Sequence, residues 1–216
     1  MSRYLVTHSL LASWKYTMKD NPYEDLTTER DPFAEFMQVL RREPTETTEA
    51  LRNGIRFEQM VTDILYAQDH PLLDGSIEIP AAIEEDRWYS AATAVAEIIH
   101  GAQLQFVAKS VFPIGNQDAL LYGRLDALRG GHIYDIKFSK SYDRGKYIDS
   151  TQHPMYMKLI PEAVDFTYII SNGTDVWTET YRRDETPDII KTIDEFYLWL
   201  EIQGLTGIYR EHWLAA

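Results

Sequence analysis

Cysteine is missing from all 216 residues. Its absence excludes disulfides, thiolate nucleophiles and cysteine-ligated iron–sulfur clusters, and it fits a reducing, cytoplasmic setting. Long apolar runs are missing as well. None reaches the roughly 20 residues that cross a bilayer, and the amino terminus has no signal-peptide apolar core, so no membrane contact is expected. The 6 histidines are scattered, no Ser-His-Asp triad is suggested, and His100 and His132 read as helix-end and turn residues. Positive charge is scarce: 21 Lys and Arg stand against 34 Asp and Glu, a net charge of −13. Such a chain repels polyanions unless its cations are concentrated in one place. Neither internal repeats nor low-complexity tracts occur.

What is present is enough apolar material, 44% of residues, to bury the core of one domain spanning 1–216. Helical periodicity appears near 8–19, 30–42, 47–68 and 86–100, with Asp86 as a cap for the last. Strand patterns follow at 103–113, 119–128 and 132–139. A helix is predicted over 146–159, a strand over 163–171, and its hairpin partner over 175–183 across Asn172-Gly173. The last helix, near 187–203, carries Ile189, Ile193, Phe196, Tyr197 and Leu200 on one stripe. The stretches 42–49 and 69–80 read as loops. The fold class is α/β.

The most informative segment is DALLYGRLDALRGGHIYDIKFSK, residues 118–140. Gly130-Gly131 is a strong turn signal, because type I′ turns require positive φ at both central positions. Closing that turn opposes Arg129 to His132, Leu128 to Ile133 and Asp126 to Asp135. Strand alternation then places Arg124, Asp126, Asp135 and Lys137 on one face, and Leu121, Leu125, Ala127, Tyr134, Ile136 and Phe138 on the other. Two opposed carboxylates destabilise a sheet, so they share a proton or bind a cation. Oxygen-only ligands favour magnesium or manganese over zinc. Lys137 would point into the same site and handle a water or a developing negative charge, which together equips the cluster for metal-assisted phosphodiester hydrolysis. The bland alternative is a solvated ion-pair network.

Gly123-Arg124-Leu125-Asp126 followed by Ile133-Tyr134-Asp135-Ile136-Lys137 resembles the active-site signature of the PD-(D/E)xK nuclease superfamily. Gln152-His153-Pro154-Met155-Tyr156 fits the Gln-x-x-x-Tyr element of its RecB-like and lambda-exonuclease-like branch. Gly54-Ile55-Arg56-Phe57-Glu58 is similar to that branch's early helix, and Ser9-Leu10-Leu11-Ala12-Ser13-Trp14 to its first helix. The resemblance implies a restriction-endonuclease-like core of helix, three strands, helix and strand over about 50–183, with a helical N-terminal region and a C-terminal helix. It implies a magnesium- or manganese-dependent DNA exonuclease of phage-type recombination or repair. Asp126, Asp135 and the Ile136 carbonyl would hold the metal, Glu58 would complete the site, Lys137 would position water, and Gln152 and Tyr156 would serve the phosphate or that water. Glu58 has a structural argument of its own, since Gly54 inside a helix hints at close packing there. Pro154 sits badly in a helix interior.

Charge by segment supports a nucleic-acid partner. Residues 1–100 hold 9 basic and 18 acidic side chains (−9), residues 101–160 hold 8 and 5 (+3), and residues 161–216 hold 4 and 11 (−7). The cations of the positive segment, Arg124, Lys140, Arg144 and Lys146, are expected to meet the phosphates of linear duplex DNA. A single-strand annealing or recombination protein is a further expected partner, and the rings formed by lambda-exonuclease relatives make a homo-oligomer another expectation. Two rivals stand beside the nuclease reading: a non-catalytic module that grips DNA ends or a protein, and an acidic DNA mimic.

Overall fold

A six-stranded mixed sheet with helices on both faces organises the chain. The computed structural model describes residues 3–18 and 31–215. In chain order the elements are β1 (Arg3–Val6), α1 (His8–Thr17), α2 (Pro32–Leu40), α3 (Glu49–Asp69), α4 (Ala81–Glu84), α5 (Tyr89–Ile99), β2 (Gln103–Ile114), β3 (Gln117–Arg129) and β4 (His132–Phe138). Then come α6 (Gln152–Leu159), β5 (Asp165–Ser171), β6 (Val176–Arg182), a 3-10 turn (Arg183–Glu185), α7 (Ile189–Ile202) and α8 (Thr206–His212). The predicted helix ends at 19 and 30 lie outside the described residues. Sequence patterning missed β1, α4 and α8, all of them short.

Local signals account for most boundaries. Thr7, Asp31, Thr48 and Asp188 cap α1, α2, α3 and α7 through side-chain oxygens that accept early helical N–H groups, which would otherwise lack partners. Asp86 instead caps the turn before α5, accepting the Trp88 N–H at 2.9 Å, and it pairs with Arg56. The predicted helix 146–159 shrinks to α6, because residues 144–149 form turns. Pro154 therefore falls in the first helical turn, where a missing N–H leaves no bond unmade.

Strand β3 organises the sheet. Along one edge β2 pairs with it antiparallel from Gln103↔Leu128 to Ile114↔Gln117. The other edge is shared: β1 runs parallel to Asp118–Leu121, and β4 pairs antiparallel with Ala127–Arg129 only. Between them, residues 122–126 of β3 have no strand neighbour on that side among the described residues. Strand β4 continues in parallel with β5 from His132↔Asp165 to Phe138↔Ser171, and β5 is followed by antiparallel β6. Covered on both faces, β5 reads as a nearly continuous apolar run, Phe166 through Ile170.

Two cores flank the sheet. The first joins α1, α2, α6, α7 and α8 to Leu121, Leu125, Ile133, Phe166 and Tyr168. The second joins α3 and α5 to Ala127 and Ile169, with Leu104, Tyr134, Ile136 and Phe138 packed against it. Leu125 and Ala127 are two residues apart yet belong to different cores, so simple alternation fails between them. The same exchange occurs on β2, where Leu104 joins the second core and Phe106 the first. Gln105 lies between these two, with φ +52°, and it is the position at which the β2–β3 ladder skips the pairing with Asp126. The single apolar face expected for Leu121, Leu125, Ala127, Tyr134, Ile136 and Phe138 is thus divided in two. Arg124 is exposed, turned away from the buried Leu125 side rather than grouped with the two acids.

Candidate active site

The Gly130-Gly131 turn forms as its sequence requires, with φ +56° and +84°, and the opposed pairs Arg129↔His132, Leu128↔Ile133 and Ala127↔Tyr134 follow. The ladder ends there, one pair short of Asp126 and Asp135. Asp126 does not lie flat against Asp135 in a regular hairpin; its Oδ2 accepts the Ile136 backbone N–H at 2.8 Å. The carboxylate occupies the place of a ladder carbonyl, and the strands separate.

Asp135 is 3% exposed and faces the first core under α6. Gln152 donates to its Oδ1. Its Oδ2 lies 2.7 Å from Lys137 Nζ and has no hydrogen bond of regular geometry. Gln152 can reach so far in because it opens α6 and is itself buried. Tyr156, one turn later, donates to the Arg124 carbonyl at 3.1 Å, satisfying the edge of β3 that no strand covers. Its ring lies where a Cβ on Gly123 would stand, 2.6 Å from Cε1, so glycine is needed there for packing.

Electrostatics set the pair apart. Burial first, then the charges of Asp135 and Glu58, push the Asp126 carboxyl up to about 8. Burial also raises Asp135, against the opposing pull of Lys137 and Gln152. Two adjacent carboxyls that both resist ionisation, one with a buried oxygen lacking a regular hydrogen bond, form a donor set that a divalent cation would satisfy. The residues present fit a magnesium or manganese ion.

Glu58 is close enough to be felt by Asp126, yet its Oε1 accepts from Gln105 Nε2 at 2.7 Å. Among the described residues no three His, Asp or Glu side chains are gathered into a metal-holding group, so Glu58 stands beside the pair, not in it. The close packing expected at Gly54 is not found, since nothing lies within 4 Å of a Cβ built there, and neighbouring Ile55 is 57% exposed. Of the four expected phosphate-binding cations, Lys140 and Arg144 are exposed on the loop after β4. Lys146 is also exposed, but its ammonium donates to Ser139 Oγ at 2.9 Å and the Ser141 carbonyl at 3.4 Å. His132 is not a turn residue but opens β4, where it pairs with Asp165 at 2.9 Å.

Sequence reasoning missed His8. Its carbonyl accepts from Thr151 Oγ1 at 2.9 Å, and its ring stands edge-on to Tyr156 with centroids 5.6 Å apart. Burial and the nearby Lys137 charge push it down to about 4, so at neutral pH it adds no charge. Only the parallel docking of β1 brings it here, and a four-residue strand leaves no periodic signal.

No protein-family model matches the chain, and no curated protein matches it. Among solved structures it is similar to SSO0001, at 17% identity over 76% of this chain and 85% of that one, with a TM-score of 0.42. It is also similar to Scheffersomyces stipitis Rai1, at 10% identity over 93% of this chain and 61% of that one, with a TM-score of 0.35. At these distances neither likeness bears on activity.

Proposed function

We propose that the chain is a metal-dependent nuclease with a restriction-endonuclease-like core that hydrolyses phosphodiester bonds at the ends of linear DNA. The observation that carries this reading is the convergence, on a hairpin that splays open, of half-buried Asp126 and buried Asp135 with Lys137 and Gln152. A structural ion-pair network on a solvated face would leave both acids exposed and low in pKa; here both are raised.

Asp126, Asp135 and the Ile136 carbonyl would hold magnesium or manganese, with Glu58, oriented by the bond it accepts from Gln105, completing the site. The bound ion would supply a Lewis acid and a water acidic enough to attack at neutral pH. Gln152 keeps Asp135 Oδ1 occupied, which leaves Oδ2 turned toward Lys137. The Lys137 side chain, 31% exposed, reaches solvent and can hold the attacking water or meet negative charge developing on the phosphate. Tyr156 braces the open edge of β3 and so fixes Asp126.

End-labelled linear duplex, covalently closed circles and single-stranded DNA, each with magnesium or manganese and an EDTA control, test the proposal beside Asp126→Ala. Metal-dependent loss of the linear substrate alone, absent in the variant, is expected. Cleavage of no substrate with either metal would overturn it in favour of a non-catalytic end-binding module.

A further inference from the structure

The connection between β4 and α6, residues 139–150, begins two residues after Lys137 and ends two before Gln152. It contains no helix or strand; backbone turn bonds such as Lys146 N–H to the Asp143 carbonyl at 3.1 Å shape it locally, and side-chain contacts hold it to the sheet. One residue far away in sequence supplies them. Glu179, on β6 opposite Tyr168, accepts from Tyr142 OH at 2.6 Å and the Gly145 N–H at 3.1 Å through Oε2. Through Oε1 it accepts from the Tyr147 N–H at 3.4 Å and from Tyr181 OH. Four donors, three from the loop and one from β6, thus meet on one carboxylate. Partial burial opposes ionisation of Glu179, but these bonds outweigh it and hold its carboxyl below the usual glutamate range.

The same loop is stacked as well as bonded. Tyr147 lies flat on Tyr168, centroids 4.2 Å apart and planes 17° from parallel, and Tyr142 packs on Trp177. Tyr168 OH donates to Ser150 Oγ at 3.0 Å, and that oxygen accepts the Gln152 N–H at 3.2 Å. With its backbone fixed from within, the loop shows Lys140 and Arg144 to solvent, while Lys146 ties its middle to its start.

We propose that Glu179 is a positioning residue for substrate binding: by clamping onto β6 the 139–150 loop, which joins Lys137 to Gln152 in the chain, it fixes the backbone that carries Lys140 and Arg144, and these take the phosphates of an incoming nucleic-acid strand. This rests on the nuclease reading. Holding the loop before substrate arrives removes the entropy loss that a mobile basic loop would incur on binding. Charge on the carboxylate matters because hydrogen bonds to an ionised acceptor are stronger than neutral ones.

Glu179→Gln and Tyr142→Phe, compared with wild type, test the clamp by two independent readouts. In hydrogen exchange of the full chain without DNA, the Gly145 and Tyr147 amides are expected to exchange about tenfold faster in Glu179→Gln, and less so in Tyr142→Phe. In cleavage of linear duplex, KM should rise about tenfold in Glu179→Gln with kcat within about twofold of wild type, since the acid pair and Lys137 are untouched. Unchanged exchange overturns the clamp. Faster exchange with unchanged KM overturns its role in binding. A wild type inert on every nucleic acid overturns the nuclease reading and the binding role with it, while the exchange readout still reports on whether Glu179 holds the loop.

Discussion

The Ile136 backbone N–H donates to Asp126 Oδ2 at 2.8 Å, although the hairpin that joins these residues would have it bond the Leu125 carbonyl. Hydrogen-bonded pairs alternate along an antiparallel ladder; from Arg129↔His132 and Ala127↔Tyr134 the next would be Leu125 with Ile136. A carboxylate therefore replaces a carbonyl at the point where β4 parts from β3 and continues beside β5. The substitution draws Asp126 inward beside Asp135, so the opening of the hairpin and the raising of both carboxyls have one cause.

Lys137→Ala should lower the cleavage rate by about 10²–10³-fold, the effect of losing one pre-positioned charge at a reacting phosphate. Binding of manganese in isothermal titration should survive, because Asp126 and Asp135 remain. Cleavage at the wild-type rate would remove Lys137 from the mechanism.

Stability of the metal-free protein should fall as pH rises. Asp126 titrates at about 8 in the folded chain and near about 4 when unfolded. Between those values the folded state keeps a proton that the unfolded state has released, which favours folding at the lower end and disfavours it at the upper end. Melts with EDTA should give a Tm lower by about 4 °C or more at pH 8.5 than at pH 6, with the difference reduced in Asp126→Asn. A wild-type pH dependence matched by the variant would show that Asp126 is not a strained acid.

Gly123→Ala should destabilise the fold by about 1–3 kcal/mol, the usual range for an inserted methyl in a filled site. The new Cβ would stand 2.6 Å from Tyr156 Cε1 and push the ring off the Arg124 carbonyl. Urea denaturation measures the loss, and Tyr156→Phe should not restore it. Wild-type stability in Gly123→Ala would mean that the ring moves freely.

Gln105→Gly should separate shape from contact. Glycine keeps φ +52° without its steric cost of about 1–2 kcal/mol, so denaturation should show equal or greater stability. The bond to Glu58 is lost, and cleavage should fall by about 10- to 100-fold, as when an outer partner of a metal ligand is removed. Undiminished cleavage would leave Glu58 and Gln105 as bystanders.

The sequence by itself determined what is encoded within a few residues of itself: the Gly130-Gly131 turn, the order of the longer strands and helices, and the closeness of Asp126, Asp135 and Lys137 around a short hairpin. Alternation over the Leu121–Phe138 segment misled, because a left-handed Gln105 on the neighbouring strand exchanges the faces at Asp126, and nothing in residues 103–107 signals a positive φ at a glutamine. Only the tertiary structure decided that β1 would bring His8 beside Lys137, that α6 would start late enough for Gln152 to reach Asp135, and that Glu179 would gather the loop between them. These relationships join residues 17 to 129 positions apart, and their partners are chosen by the packing of α1, α6 and β6 against the sheet. No local pattern can carry that information, since each contact forms only after the entropy of closing its loop has been offset by burial elsewhere.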